Sequence, residues 1–188
     1  MEKLELKHLA PYLPYNIGFV EKNKIETIIG YKGDAIFIEG GHKSGYCQVY
    51  EINTLALRPM SDLTKEITVY VKKFIPIVEL YRLSNEYNYN QDLNYEFIDS
   101  WGSGKILKIW IDKSKDEYTE FIYSDFSFRK DTRRAKGSNV FGMDLPHPIR
   151  LDNKIHNQQK LFDKLFEWHF DVFGLIKKGL AISLNDLS

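Results

Sequence analysis

Short runs of alternating residues, each closed by turn formers, constrain this chain more than any other feature. Ile25, Thr27, Ile29 and Tyr31 alternate with Glu26, Ile28 and Gly30. Ile36 and Ile38 flank Phe37, and Tyr46, Gln48, Tyr50 and Ile52 alternate with Cys47, Val49 and Glu51. A period of two sends successive side chains to opposite faces of a strand. Between the runs stand Asn23-Lys24, Lys32-Gly33-Asp34 and Gly40-Gly41, residues that reach turn conformations at little cost. The spacing predicts an antiparallel meander from Ile17 to Ile52. Ahead of it, Pro11 and Pro14 in Leu9–Tyr15 fix the backbone and predict a rigid, packed, extended entry segment.

The pattern then changes. Arg58–Ile67 predicts a short helix, with Ser61 or Asp62 placed to cap its first amides. Residues 75–84 predict a second, with Pro76 in the first turn and Ile77, Leu80 and Tyr81 at helical spacing. The Asn-rich residues 85–95 predict a loop. Ile106–Ile111 and Tyr118–Tyr123 predict a hairpin with a charged tip at Asp112–Glu117, which Phe126 and Phe128 extend. A long C-terminal helix is expected from a cap at Asp152 or Asn153 to a stop at Gly174. Its apolar face would be Phe162, Leu165, Phe166, His169 and Phe173. Leu180–Leu184 predicts a last strand. No internal repeat and no linker divides the chain, so one α+β domain over residues 1–188 is expected. Its parts are an antiparallel β-rich N-terminal half and a second β-hairpin, packed with two short helices and one long C-terminal helix.

At 188 residues such a domain buries roughly 70% of the surface its unfolded chain exposes, enough to fold without staples. The 26 basic residues balance 26 acidic ones, so whole-chain charge asks for neither nucleic acid nor an anionic membrane. Any such binding has to come from a local patch. One cysteine, Cys47, excludes an internal disulfide and a cysteine-based zinc site, and its strand-like setting predicts an inert buried thiol. No stretch approaches the ~20 apolar residues of a membrane helix, and the charged N-terminus lacks a signal-like segment. The expected location is the cytoplasm, with no membrane partner. The 12 Tyr, 12 Phe and 3 Trp suit a core built from large rings, or a Tyr-rich recognition surface.

Candidate chemistry is sparse. His8, His42, His147, His156 and His169 show no zinc-ligand spacing, and neither a metal nor a cofactor is expected. Trp101–Ile106 contains Gly104-Lys105 but lacks the other positions of a phosphate loop. Gly40–Gly45 reads as a hairpin loop whose amides suit an anion. His169 lies in the apolar stripe and reads as a core-edge histidine, with a general base as the alternative. Asp171 makes it a poor partner, because residues two apart do not share a helix face. The densest anomaly is a basic loop at 129–136, where Arg129, Lys130, Arg133, Arg134 and Lys136 follow Phe126 and Phe128. Such a loop suits phosphates held by charge, with a ring stacking a base, or an acidic protein surface. As a solvated loop it would simply balance acidic segments such as Asp112–Glu120.

Three segments carry a resemblance. They are Leu6–Tyr15 (LKHLAPYLPY), Leu57–Ile67 (LRPMSDLTKEI) and Leu161–Ile176 (LFDKLFEWHFDVFGLI) with its Lys-Gly-Leu-Ala-Ile-Ser tail. Together the chain resembles a family of small uncharacterised proteins of bacteriophages, prophages and mobile elements. The resemblance implies action inside a bacterial host cell and carries over no functional residue. The leading expectation is a small non-enzymatic binding or accessory protein that modulates host machinery or defence, its partner a host or phage protein. The alternatives are nucleic-acid or nucleotide binding through the basic loop 129–136, and a cryptic enzyme using His169.

Overall fold

The structure, a computed structural model, describes residues 4–21, 24–32, 35–39, 45–48, 54–84, 94–99, 105–110, 117–124, 127–134, 150–153, 155 and 157–187. Helix α1 (Leu6–Leu9) and a 3-10 turn (Leu13–Tyr15) lead into strands β1 (Gly18–Glu21), β2 (Lys24–Lys32), β3 (Ala35–Glu39), β4 (Gly45–Gln48) and β5 (Leu55–Leu57). A 3-10 helix (Met60–Thr64) precedes the hairpin of β6 (Ile67–Val69) and β7 (Lys72–Phe74), and helix α2 (Pro76–Ser84) follows. Then come β8 (Asn94–Asp99), β9 (Lys105–Trp110), β10 (Glu117–Ser124), β11 (Ser127–Arg134) and β12 (Arg150–Asn153). Helix α3 (Gln158–Glu167), β13 (Ala181–Ser183) and a 3-10 turn (Leu184–Asp186) complete the chain. The architecture is mixed α+β, with several sheets and few helices. It divides into two compact units, Met1–Asp62 with Phe162–Ser188, and Leu63–Leu161.

The first unit holds a six-stranded sheet in the order β13-β5-β1-β2-β3-β4. The meander expected from the alternation is present: β1, β2, β3 and β4 pair antiparallel in sequence order. β5 pairs antiparallel with β1 and parallel with β13. Flanked on both sides, β5 buries all of Leu55, Ala56 and Leu57, the continuous apolar run of a strand covered on both faces. Gly18 is required where β1 crosses β2, since a Cβ there would stand 2.8 Å from Ile25 Cγ2.

The core of this unit joins Leu9, Tyr12, Leu13 and Ile17 to Phe19, Ile28, Ile36, Leu55, Leu57, Leu175 and Leu180. Leu9–Tyr15 is packed as expected but not extended. It forms helical turns, because Pro14 sits in the first turn of a 3-10 helix, where its missing N–H has no partner to lose. Tyr12 is fully buried and its hydroxyl donates to the Phe170 carbonyl at 2.7 Å. Phe166 and Phe173 meet its ring edge-on at 5.1 and 6.3 Å.

The C-terminal helix is shorter than expected, ten residues from Gln158 to Glu167. His169 takes φ +58, a left-handed conformation that ends an α-helix before Gly174 is reached. Gly174, at φ +65, serves a later turn instead. Phe170 then bridges Arg58 in parallel, through Arg58 N–H to His169 O at 2.7 Å and Asp171 N–H to Arg58 O at 2.8 Å.

The second unit holds an antiparallel sheet in the order β12-β11-β10-β9-β8. The expected hairpin is its β9–β10 pair, with Trp110 opposite Tyr118; of its charged tip, residues 112–116 lie outside the described residues and Glu117 opens β10. Phe121, Tyr123 and Phe128 are buried together on one face. Tyr81 of α2 packs edge-on against Phe121 at 5.7 Å. Pro76 opens α2 where the sequence places it. Past the end of β12, the Gln158 amide accepts from the Phe128 N–H at 3.0 Å and donates to the Phe128 carbonyl, standing in for a strand neighbour. Asn157 Nδ2 also donates to Leu83 O at 2.9 Å, closing the end of α2.

Candidate functional site

The basic segment is a strand rather than a loop. Ser127–Arg134 forms β11, hydrogen-bonded on one side to the whole of β10 and on the other to β12. Strand alternation puts positions 129, 131 and 133 on one face and 128, 130, 132 and 134 on the other. The charge that looked contiguous in sequence is therefore divided.

Phe128 is 1% exposed and lies between Phe121 and Tyr123, with ring centroids 5.5 and 4.9 Å away. Both its faces belong to the core, so it cannot stack a base. Lys130 is half-buried with Nζ 5.6 Å from the Tyr81 ring centroid, and burial holds its pKa below the usual lysine value. Arg129 is exposed and donates to Ser124 Oγ at 3.1 Å. Arg133 and Arg134 are placed by their backbones, opposite Tyr118 and Glu117. Phe126 and Lys136 lie outside the described residues, as do His42, His147, His156, Gly40–Ser44 and Trp101–Gly104.

The face that carries Arg129 is not uniformly basic. A cross-strand row runs Glu96, Lys108, Glu120, Asp131 over β8 to β11. Lys108 Nζ reaches Glu96 Oε1 at 3.3 Å and stands opposite Glu120 in the register. Glu120 and Asp131 are buried directly opposite each other. This charge mixture neutralises the local field that phosphate binding would need. Among the described residues no three His, Cys, Asp or Glu side chains gather as a metal site.

His169 is engaged structurally. Its Nε2 lies 2.8 Å from the Tyr15 carbonyl, which takes the ring proton. Burial holds its pKa below the ordinary 6.5, the Tyr15 bond works the other way, and nearby Arg58 lowers it further. Arg58 is itself lowered by burial, with Asp62 opposing the shift. Asp171 is committed elsewhere: Oδ1 accepts from Leu175 N–H at 2.6 Å and Oδ2 from Ile176 N–H at 2.9 Å. The two residues two apart in sequence do not form an acid–base pair.

The site that sequence patterning missed is apolar. β2 turns Glu26 and Ile28 inward and Ile25 and Ile29 outward. Past its bulge, Tyr31 pairs with Ile36 and lies on the opposite face from Phe37, still exposed. Ile25, Ile29, Tyr31 and Phe37 of β3 are between 40% and 56% exposed. Glu26 is buried, and its Oε2 has no hydrogen-bond partner among the described residues. A one-residue slip of β2 would bury Ile25 and Ile29 and expose Glu26 along with Ile28. The observed register does the opposite, at a desolvation cost of about 1–3 kcal/mol for an unpaired buried acceptor. A bulge between Ile28 and Gly30 re-aims the strand beside Phe37. Comparison with protein-family models, curated proteins and solved structures finds no match to this chain.

Proposed function

We propose that this chain is a non-enzymatic binding protein of a phage or mobile element, acting on a protein partner in a bacterial host through the outer face of β2 and β3. The observation that carries the reading is the register of β2, which keeps Ile25 and Ile29 in solvent on the Phe37 side of the sheet while burying Glu26. Contiguous exposed apolar side chains on a sheet face mark interaction surfaces. Tyr and Phe are enriched where proteins bind proteins. Lys24, Lys32 and Glu39, all exposed on the same strands, supply a polar rim. The resemblance to phage and mobile-element proteins supports the setting, and modulation of host machinery or defence is the work such a binder would do.

The test is affinity capture from bacterial lysate, with and without nuclease, using the native chain and an Ile29→Ser, Phe37→Ser double variant. The expected result is a nuclease-resistant partner that the variant loses while keeping its fold. Capture that vanishes with nuclease, and with Arg133→Ala, Arg134→Ala, would instead support the nucleic-acid reading. Capture unchanged in the Ile29, Phe37 variant would refute the proposed surface.

A further inference from the structure

The hairpin of β6 and β7 carries exposed apolar side chains of its own. Val69 pairs with Lys72, so the loop between them is only Tyr70 and Val71. Tyr70 is 83% exposed and Val71 98% exposed. Tyr70 also takes φ +56. Two-residue hairpin loops need positive φ at their first position, and Asn or Gly supplies it with little strain. A bulky Tyr there is a strained choice for the turn. Neither residue contributes burial to the fold. With positive φ at Tyr70 alone, stability favours Gly at the first tip position and solubility a polar residue at the second, and Tyr-Val serves neither.

Charge gives the chemistry of that contact. Lys72 and Lys73, both exposed, are the next two residues below the tip. Glu66, one residue before β6, places its Oε1 3.9 Å from Lys73 Nζ, a solvent-exposed pair that leaves the two lysines in excess at the hairpin. At a rise of about 3.3 Å per residue, the backbones of Lys72 and Lys73 sit within roughly 7 Å of the tip along the hairpin. An apolar point with a cationic collar at that depth matches the boundary between acyl chains and anionic headgroups, which is about 5–10 Å thick. Tyr suits this boundary because its ring is apolar and its hydroxyl stays wet. The shape is convex and narrow, suited to entering a soft surface.

We propose that the Tyr70–Val71 tip and its Lys72–Lys73 collar form a peripheral docking point for an anionic lipid surface. This goes beyond the proposed protein-binding role and does not depend on it. No helix among the described residues is long and apolar enough to cross a membrane. The contact is superficial and reversible, since two apolar side chains and two cations give only weak partitioning.

Co-sedimentation of the full chain with phosphatidylcholine vesicles, with and without phosphatidylserine, tests this at low and at physiological salt. Binding is expected only with phosphatidylserine and should weaken as salt rises. Lys72→Glu with Lys73→Glu should cut the partition coefficient roughly tenfold or more. Tyr70→Gly is the sharper variant. It relieves the positive-φ strain, so it should melt no lower than the native chain while losing several-fold in vesicle binding. A structural role for Tyr70 would not separate those readouts. The proposal is overturned if the native chain ignores phosphatidylserine vesicles at low salt, or if Tyr70→Gly binds them as well as the native chain. It is equally overturned if the tip variants lose a captured protein while vesicle binding stays unchanged.

Discussion

Replacing Asp171 by Ala tests the claim that this carboxylate is architectural. The side chain is buried, and each oxygen accepts one backbone N–H, from Leu175 at 2.6 Å and Ile176 at 2.9 Å. Its own N–H holds Arg58 O at 2.8 Å, a bond that Ala keeps. Truncation leaves two buried or half-buried donors unmet, at about 1–3 kcal/mol each. Relief from carrying a buried charge returns part of that. The expected net loss is about 2–4 kcal/mol, a large share of the ~5–15 kcal/mol that folds a domain. Asp171→Asn should cost less, about 1–2 kcal/mol, because one amide oxygen still accepts while its NH2 faces the other donor. Urea unfolding reads both as shifts of the midpoint at constant slope. If Asp171→Ala unfolds within about 0.5 kcal/mol of the native chain, the loop 171–176 is held by something else. If Asp171→Asn is worse than Ala, the acceptor roles are misassigned.

Three further outcomes follow from the same geometry. Tyr12→Phe should destabilise by about 0.5–1.5 kcal/mol in thermal or urea melts, because the Phe170 carbonyl loses the Tyr12 hydroxyl and keeps only the Val172 N–H, while ring packing survives. Phe128→Ala should cost about 3–5 kcal/mol and change no nucleic-acid affinity that Arg133→Ala, Arg134→Ala leaves intact, as measured by unfolding and a filter-binding titration. His169 should make stability pH-dependent. Its folded pKa lies below the unfolded value, so the unfolded chain binds more protons near neutrality and stability rises with pH. The contribution is full above about 6.5 and is lost as pH falls through the folded value. His169→Asn, which tolerates positive φ, should flatten that part of a urea-midpoint series between pH 7.5 and 5.5.

Much of the fold was legible because local chemistry decided it. Pro76 at a helix start, the meander of β1 to β4 and the β9–β10 hairpin each rest on signals that tertiary contacts had no reason to override. The C-terminal helix was overextended for a definite reason. Phe162, Leu165, Phe166, His169 and Phe173 keep helical period, but Phe170 must reach Arg58 and Phe173 must reach Tyr12. Those long-range contacts are met by turning the backbone at His169, a residue that reads as neutral within a helix. Leu9–Tyr15 was misread as extended because two prolines suggest rigidity without saying which rigid form the chain takes.

The candidate sites divide along a different line. Five cations within eight residues look like a patch only while the segment is a loop, since a loop can turn all of them one way. Once 127–134 is a strand, alternation puts positions 129 and 133 on one face and 130 and 134 on the other, and the partner strands bring Glu120 and Lys108 into one cross-strand row. Linear charge density thus overstates a patch whenever the segment pairs with neighbours. The reverse holds for β2. Its alternation of Ile25, Thr27, Ile29 and Tyr31 with Glu26, Ile28 and Gly30 identifies a strand but not which set faces inward. Hydrophobicity favours burying Ile25 and Ile29, and the fold buries Glu26 and Ile28 instead, the bulge then bringing Gly30 into register with exposed Phe37. Only the register against Phe19 on one side and Ile38 on the other fixes that choice. A strand that turns Ile25 and Ile29 to water and Glu26 to the core is held by its neighbours against its own pattern, and that conflict is the ground on which its outer face is proposed as a binding surface.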